Sequence, residues 1–182
     1  MSATLLSPIF VYLIGCAALQ KPEAPEYRSA ITERPGPEGL IVSSIDLDGD
    51  GVPEVHNYLK LIEGERLLVR KELDLNRDGA IDQTSWYDHG TILRREIDDD
   101  FDGVIDRTDH FLEGERVLTE SDADDNGSPD NFRYFVNGVV ERRERDTTGD
   151  GRVDTWEYFE SQGVARIGVD EDADGVIDIR TE

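Results

Sequence analysis

Along most of this chain, polar turn-forming stretches alternate with short runs in which aromatic and β-branched residues lead up to a glycine. TSWYDHG, TDHFLEG, FRYFVNG and TWEYFESQG are four such runs, and their composition predicts β-strands ending in hairpin turns. The glycines Gly64, Gly90, Gly114, Gly138 and Gly163 mark those turns, with Asn137-Gly138 the clearest of them. A second strand then returns through ILRREI, RVLTES, VVERRER or ARIGV. Adjacent positions on a strand face opposite sides. Tyr58, Trp86, His110, Tyr134 and Tyr158 therefore fall in one column, and Leu59, Tyr87, Phe111, Phe135 and Phe159 in another. Helix is disfavoured, because glycines recur too often and no long stripe of period 3.6 survives.

Between these hairpins the chain repeats one acidic phrase six times: DLDGDGVPE from Asp46, DLNRDGAID from Asp74, DDDFDGVID from Asp98, DADDNGSPD from Asp122, DTTGDGRVD from Asp146 and DEDADGVID from Asp170. From Asp74 onward the first residues lie 24 apart, and only the first interval is longer, by four. A fixed period of this size marks a repeat architecture in which each unit buries surface against its neighbours. The predicted fold is all-β: an elongated, twisted antiparallel meander with two strands per unit and the acidic loops along one edge. A lead strand near Leu40–Ile45 and a last one near Val176–Arg180 bring the count to about twelve strands. A propeller needs four strands per blade and far more chain, and an open sheet is preferred to a closed barrel.

Within each phrase, positions 1, 3 and 5 are mostly Asp or Asn, position 6 is always Gly, and position 9 is always Asp or Glu. Carboxylates this close repel and raise one another's pKa unless a cation lies among them. Hard oxygen ligands in this number suit Ca²⁺, which accepts six to eight in flexible geometry, better than Mg²⁺ with its strict octahedron. The candidate ligands are Asp46, Asp48, Asp50 and Glu54; Asp74, Asn76, Asp78 and Asp82; Asp98, Asp100, Asp102 and Asp106; Asp122, Asp124, Asn126 and Asp130; Asp146, Asp150 and Asp154; and Asp170, Asp172, Asp174 and Asp178. Up to six Ca²⁺ ions are expected, roughly 10 Å apart along the sheet edge. Thr148 at position 3 and Asn126 at position 5 should weaken the fifth and fourth sites.

Position 12 is Asn57, Ser85, Asp109, Arg133 and Glu157, so no bidentate Glu recurs where an EF-hand places one. The D-x-D-x-D-G-x-x-D phrase resembles instead the calcium hairpins of integrin-type FG-GAP and VCBS repeats, in which the loop joins two strands. The resemblance covers the nine-residue loops alone. It implies calcium bound at those loops, with the position-9 acid closing the site. Dockerin and thrombospondin type 3 repeats share the loop but need helices and cysteines respectively, and this chain offers neither.

Composition sharpens the picture. The 182 residues carry 42 acidic and 19 basic side chains, a formal charge of −23. Such a charge disfavours nucleic acid as a partner. The six phrases hold 24 of the 42 acids, so the charge is organised around the loops. The single cysteine, Cys16, excludes an internal disulfide. It follows a short apolar run, and Leu13-Ile14-Gly15-Cys16 resembles the lipobox of bacterial lipoproteins. That likeness implies a signal peptide over residues 1–15, lipid on Cys16, and an extracytoplasmic address at the outer membrane or cell surface. A departure is the lack of Lys or Arg in residues 1–15. Residues 16–40, with four prolines from Lys21 on, read as the lipid-bearing Cys and a tether, and 41–182 as the six-loop domain.

No Ser/His/Asp phrase, Walker loop, dinucleotide fingerprint or HExxH occurs. His56, His89 and His110 sit at unrelated repeat positions. The expected role is therefore that of a non-enzymatic, calcium-stabilised structural or scaffold lipoprotein anchored through its N-terminal lipid. The alternative is a calcium-dependent carbohydrate- or protein-binding module that grips its ligand with an exposed aromatic column.

Overall fold

A computed structural model describes residues 30–161 and 163–181; the signal-peptide, Cys16 and most of the tether expectations fall outside them. Thirteen strands follow one another in a single antiparallel sheet whose spatial order is the sequence order. They are β1 (Ala30–Pro35), β2 (Ile41–Asp46), β3 (Val55–Ile62), β4 (Glu65–Leu73), β5 (Gln83–Asp88), β6 (Thr91–Ile97), β7 (Arg107–Leu112), β8 (Glu115–Ser121), β9 (Asn131–Val136), β10 (Val139–Arg145), β11 (Thr155–Glu160), β12 (Gly163–Val169) and β13 (Ile179–Thr181). β1 and β13 do not pair, so the meander is open. The only helical element among the described residues is a short 3₁₀ turn at Pro37–Gly39.

The sheet starts earlier than the sequence pattern predicts. Ala30–Pro35, within the stretch read as tether, pairs along its whole length with β2, from Ala30 opposite Asp46 to Pro35 opposite Ile41. All six residues are exposed, so no apolar periodicity betrays the strand. Its place at the edge tolerates a proline that cannot donate a ladder hydrogen bond.

At the edge away from the acidic loops, Glu63-Gly64, His89-Gly90, Glu113-Gly114 and Asn137-Gly138 all have positive φ at both residues. That is the type I′ turn, whose twist matches a right-twisted hairpin. One residue of each return strand is then skipped in the register: Val69, Leu93, Val117, Glu141 and Ala165, each 24 after the last. These bulges recur with the repeat, and each locally increases the strand twist.

The apolar interior is very thin. Val42, Val55, Tyr58 and Ile97 are the buried hydrophobic residues, whereas the buried polar set includes Ser43, Ser85, Asp109, Thr119 and Glu157 besides loop carboxylates. One cross-strand row runs Val42, Tyr58, Arg70, Trp86, Arg94, His110, Leu118, Tyr134, Arg142, Tyr158 and Arg166. Guanidinium groups lie over the rings: Arg70 over Tyr58 at 3.8 Å, Arg94 over Trp86 at 5.3 Å, Arg142 over Tyr134 at 4.1 Å and Arg166 over Tyr158 at 4.9 Å. Three of these arginines also pair with a glutamate two residues on: Arg70 with Glu72, Arg94 with Glu96 and Arg142 with Glu144. Each contact adds about 0.5–1 kcal/mol. This column thus lies against the protein's own cations, with Tyr58 buried and Trp86, Tyr134 and Tyr158 half-buried.

Candidate metal centres

Every acidic phrase closes between two strands with the same internal bonds. One carboxylate oxygen of the first aspartate accepts the N–H of the position-6 glycine in all six loops, at 2.6–2.9 Å. The position-9 acid accepts the N–H of position 2 in all six. The position-5 side chain accepts the N–H of position 7, at 2.7–2.9 Å. Asp and Asn favour such local bonds to their own backbone. The glycine is needed because position 6 lies at φ 85–97° throughout, a region costly for any residue with a Cβ.

Position 4 is left-handed as well, a constraint the sequence reading missed. Its residues are Gly49, Arg77, Phe101, Asp125, Gly149 and Ala173, with φ between 56° and 83°. The glycines of the first and fifth loops were the available signal, and the other four residues obscure it.

Four of the six loops bring three or more carboxylates together, with ligand oxygens within 4.8 Å of one another. They are Asp46, Asp48, Asp50 and Glu54; Asp98, Asp100 and Asp106; Asp122, Asp124 and Asp130; and Asp170, Asp172 and Asp178. Asp102 and Asp174 remain outside these groups despite their position-5 placement. The two loops that form no such group are those with a non-acid at position 3. In the second, the Asn76 amide donates to Asp78 at 2.9 Å. The backbone N–H of Ala80 and that amide together hold the Asp78 carboxyl below its usual range. In the fifth, Thr147 and Thr155 hydroxyls both donate to Asp154 at 2.8 Å, and Thr148 donates to Asp146 at 3.2 Å. Burial would raise Asp154, but those hydroxyls and the N–H groups of Thr147 and Thr148 outweigh it and keep it low. These two loops meet their own charge.

The third loop is the opposite case. The N–H of Asp102 pulls the Asp100 carboxyl down, yet desolvation and the charges of Asp102, Asp106 and Asp98 push it above the ordinary value. Here repulsion among the carboxylates exceeds what the N–H donor to Asp100 offsets. In the sixth loop, Asp170 is only 8% exposed and its Oδ1 has no hydrogen-bond partner. A buried, unpaired carboxylate oxygen is costly unless a cation meets it.

In the fourth loop, Asp122, Asp124 and Asp130 converge without Asn126. In the second, Asp74, Asp78 and Asp82 do not form a three-carboxylate group.

No protein-family model matches the chain, and no curated protein does. Among solved structures, the accessory secretory protein 1, 2 and 3 structure of Streptococcus pneumoniae aligns with 70% of this chain at 16% identity and a TM-score of 0.29. The chain corresponds to 18% of that chain's length, and a likeness at this level carries no argument about function.

Proposed function

We propose that this protein is a calcium-binding structural module whose β-meander is completed by Ca²⁺ in its acidic loops. The observation that carries the reading is the buried Asp170 Oδ1, left without a partner inside a three-carboxylate group. Oxygen-only donors in a loop that bends freely at two left-handed positions suit Ca²⁺ above Mg²⁺. Metal binds only where the loops are formed, so its binding free energy adds to folding. Divalent ions in the four loops whose carboxylates converge would bring a charge of −23 to about −15, relieving self-repulsion in a body with almost no apolar core. We further propose that the module is held outside the cytoplasm by lipid on Cys16, as the lipobox-like Leu13-Ile14-Gly15-Cys16 suggests, and that its role is scaffolding and not catalysis.

Calorimetric titration of the metal-free protein tests the central claim. Heat of binding with several equivalents of Ca²⁺, together with a melting temperature that drops sharply in excess chelator, is expected. No heat at millimolar calcium would end the proposal. For the anchor, Cys16→Ser should release the protein from the membrane fraction, and an unchanged distribution would refute it.

A further inference from the structure

Neighbouring loops are stitched together by the residues that would hold metal. The first aspartate of each loop from the second on donates its N–H to the position-9 carbonyl of the loop before. The bonds run Asp74 to Glu54, Asp98 to Asp82, Asp122 to Asp106, Asp146 to Asp130 and Asp170 to Asp154, all at 2.8–2.9 Å. This fixes the pitch, and it sets the left-handed fourth residue of one loop against the third residue of its predecessor. Arg77, fourth in the second loop, reaches Asp48, third in the first, with Nη1 3.2 Å from Oδ2. A Cβ built on Gly149, fourth in the fifth loop, would lie 3.9 Å from Oδ2 of Asp124, third in the fourth.

We propose that Arg77, the fourth residue of the second loop, lowers the cation affinity of the loop before it. The proposal rests on the calcium reading above and concerns the regulation of those same sites. Loop 1 has four converging carboxylates, yet a guanidinium from loop 2 is already seated on one of them. That tethered cation shows the site accepting positive charge at Asp48, and it competes with any ion that needs the same oxygen. Phe101 and Ala173 bring no charge to the second and fifth loops, and Gly149 brings none to the fourth. The sequence of the loops alone would make the first site the strongest. The Arg77 contact makes it weaker.

The test is a calcium titration of the full chain followed by amide NMR. Each position-6 glycine donates to its own loop's first aspartate, so Gly51, Gly79, Gly103 and Gly127 report four loops separately. Asparagine tolerates the left-handed backbone, which makes Arg77→Asn a suitable change. Arg77→Asn should tighten the loop reported by Gly51 by roughly two- to tenfold, as an exposed unit charge beside a divalent ion implies. The loops reported by Gly103 and Gly127 should be unchanged. An effect confined to Gly79, the loop that carries the change, would overturn the inter-loop proposal, as would no effect at all. Should no glycine amide respond to calcium even in the unaltered protein, the metal reading itself falls, which is a separate result.

Discussion

Single residues in this chain are placed by backbone sterics as much as by charge. Of the six left-handed fourth positions, only two carry glycine, and Ala173 holds φ 60° without a side chain that repays the strain. Left-handed backbone costs a residue with a Cβ about 1–2 kcal/mol, partly offset by the greater freedom glycine has when unfolded. Ala173→Gly should therefore raise stability by about 0.5–1 kcal/mol, read as a higher melting midpoint. The mirror change, Gly103→Ala at φ 91°, should lower it by about 1 kcal/mol or more. A neutral result for both would mean that the loop is not held in this conformation in solution. Residue-scale electrostatics has a second readout. The hydroxyls of Tyr58 and Tyr134 donate to Glu72 and Glu144 at 2.7 and 3.0 Å. Burial first, then those carboxylates, raise both phenols above 10.0. An acid whose folded pKa is raised contributes stability that is complete below its unfolded pKa and is lost as pH climbs through the folded one. Stability should thus fall above pH 10, and Tyr134→Phe should reduce that slope, which an alkaline series of denaturant melts would show.

At the scale of the element, the hairpin was legible because its signals are local. Asn137-Gly138 announces a tight turn, and the aromatic run before it announces a strand, with no knowledge of neighbours required. The acidic phrase was legible for the same reason, down to the glycine at position 6. What stayed hidden depends on partners across the sheet. The bulges at Val69, Leu93, Val117, Glu141 and Ala165 have no residue type in common, since an unpaired backbone position is set by register and twist. β1 was hidden because Ile31 alternates with nothing apolar and its pairing is decided by β2. Most telling is the pairing of Tyr58, Trp86, Tyr134 and Tyr158 with Arg70, Arg94, Arg142 and Arg166. The aromatics were visible as a column and the arginines as return-strand residues, but only cross-strand register reveals that one covers the other. Removing one guanidinium should accordingly weaken its hairpin: Arg142→Ala, which loses both the Tyr134 ring and Glu144, should cost about 1–2 kcal/mol. Arg142→Lys should restore less than half, because an ammonium cannot stack flat on a ring. Equal stability of all three proteins in thermal melts would show that the ladder contributes nothing.

The whole molecule is a chain of nearest-neighbour contacts, with each strand in contact with the strands before and after it. Stability in such an array is a sum of unit and interface terms, and opening can begin wherever those are weakest. The terms are unevenly distributed here. Val42, Val55 and Tyr58, three of the four buried apolar residues, sit on β2 and β3, and the fourth, Ile97, lies on β6. From β7 onward the buried side chains among the described residues are polar or charged, including Thr108, Asp109, Thr119, Glu157 and the loop acids Asp122, Asp154 and Asp170. Burial of apolar area contributes about 25 cal/mol per Å² whether or not metal is present, whereas a loop of converging carboxylates would draw its stability from the cation proposed to fill it. The N-terminal hairpins should therefore depend on calcium less than the C-terminal ones. Hydrogen exchange at graded chelator concentrations would read this strand by strand. Amides of β9 to β13 should lose protection first, while those of β2 to β4 remain protected to lower free calcium. Simultaneous loss along the entire sheet would mean that the interfaces couple the repeats so strongly that the uneven core has no consequence, and the sheet would then behave as one cooperative unit despite its single layer.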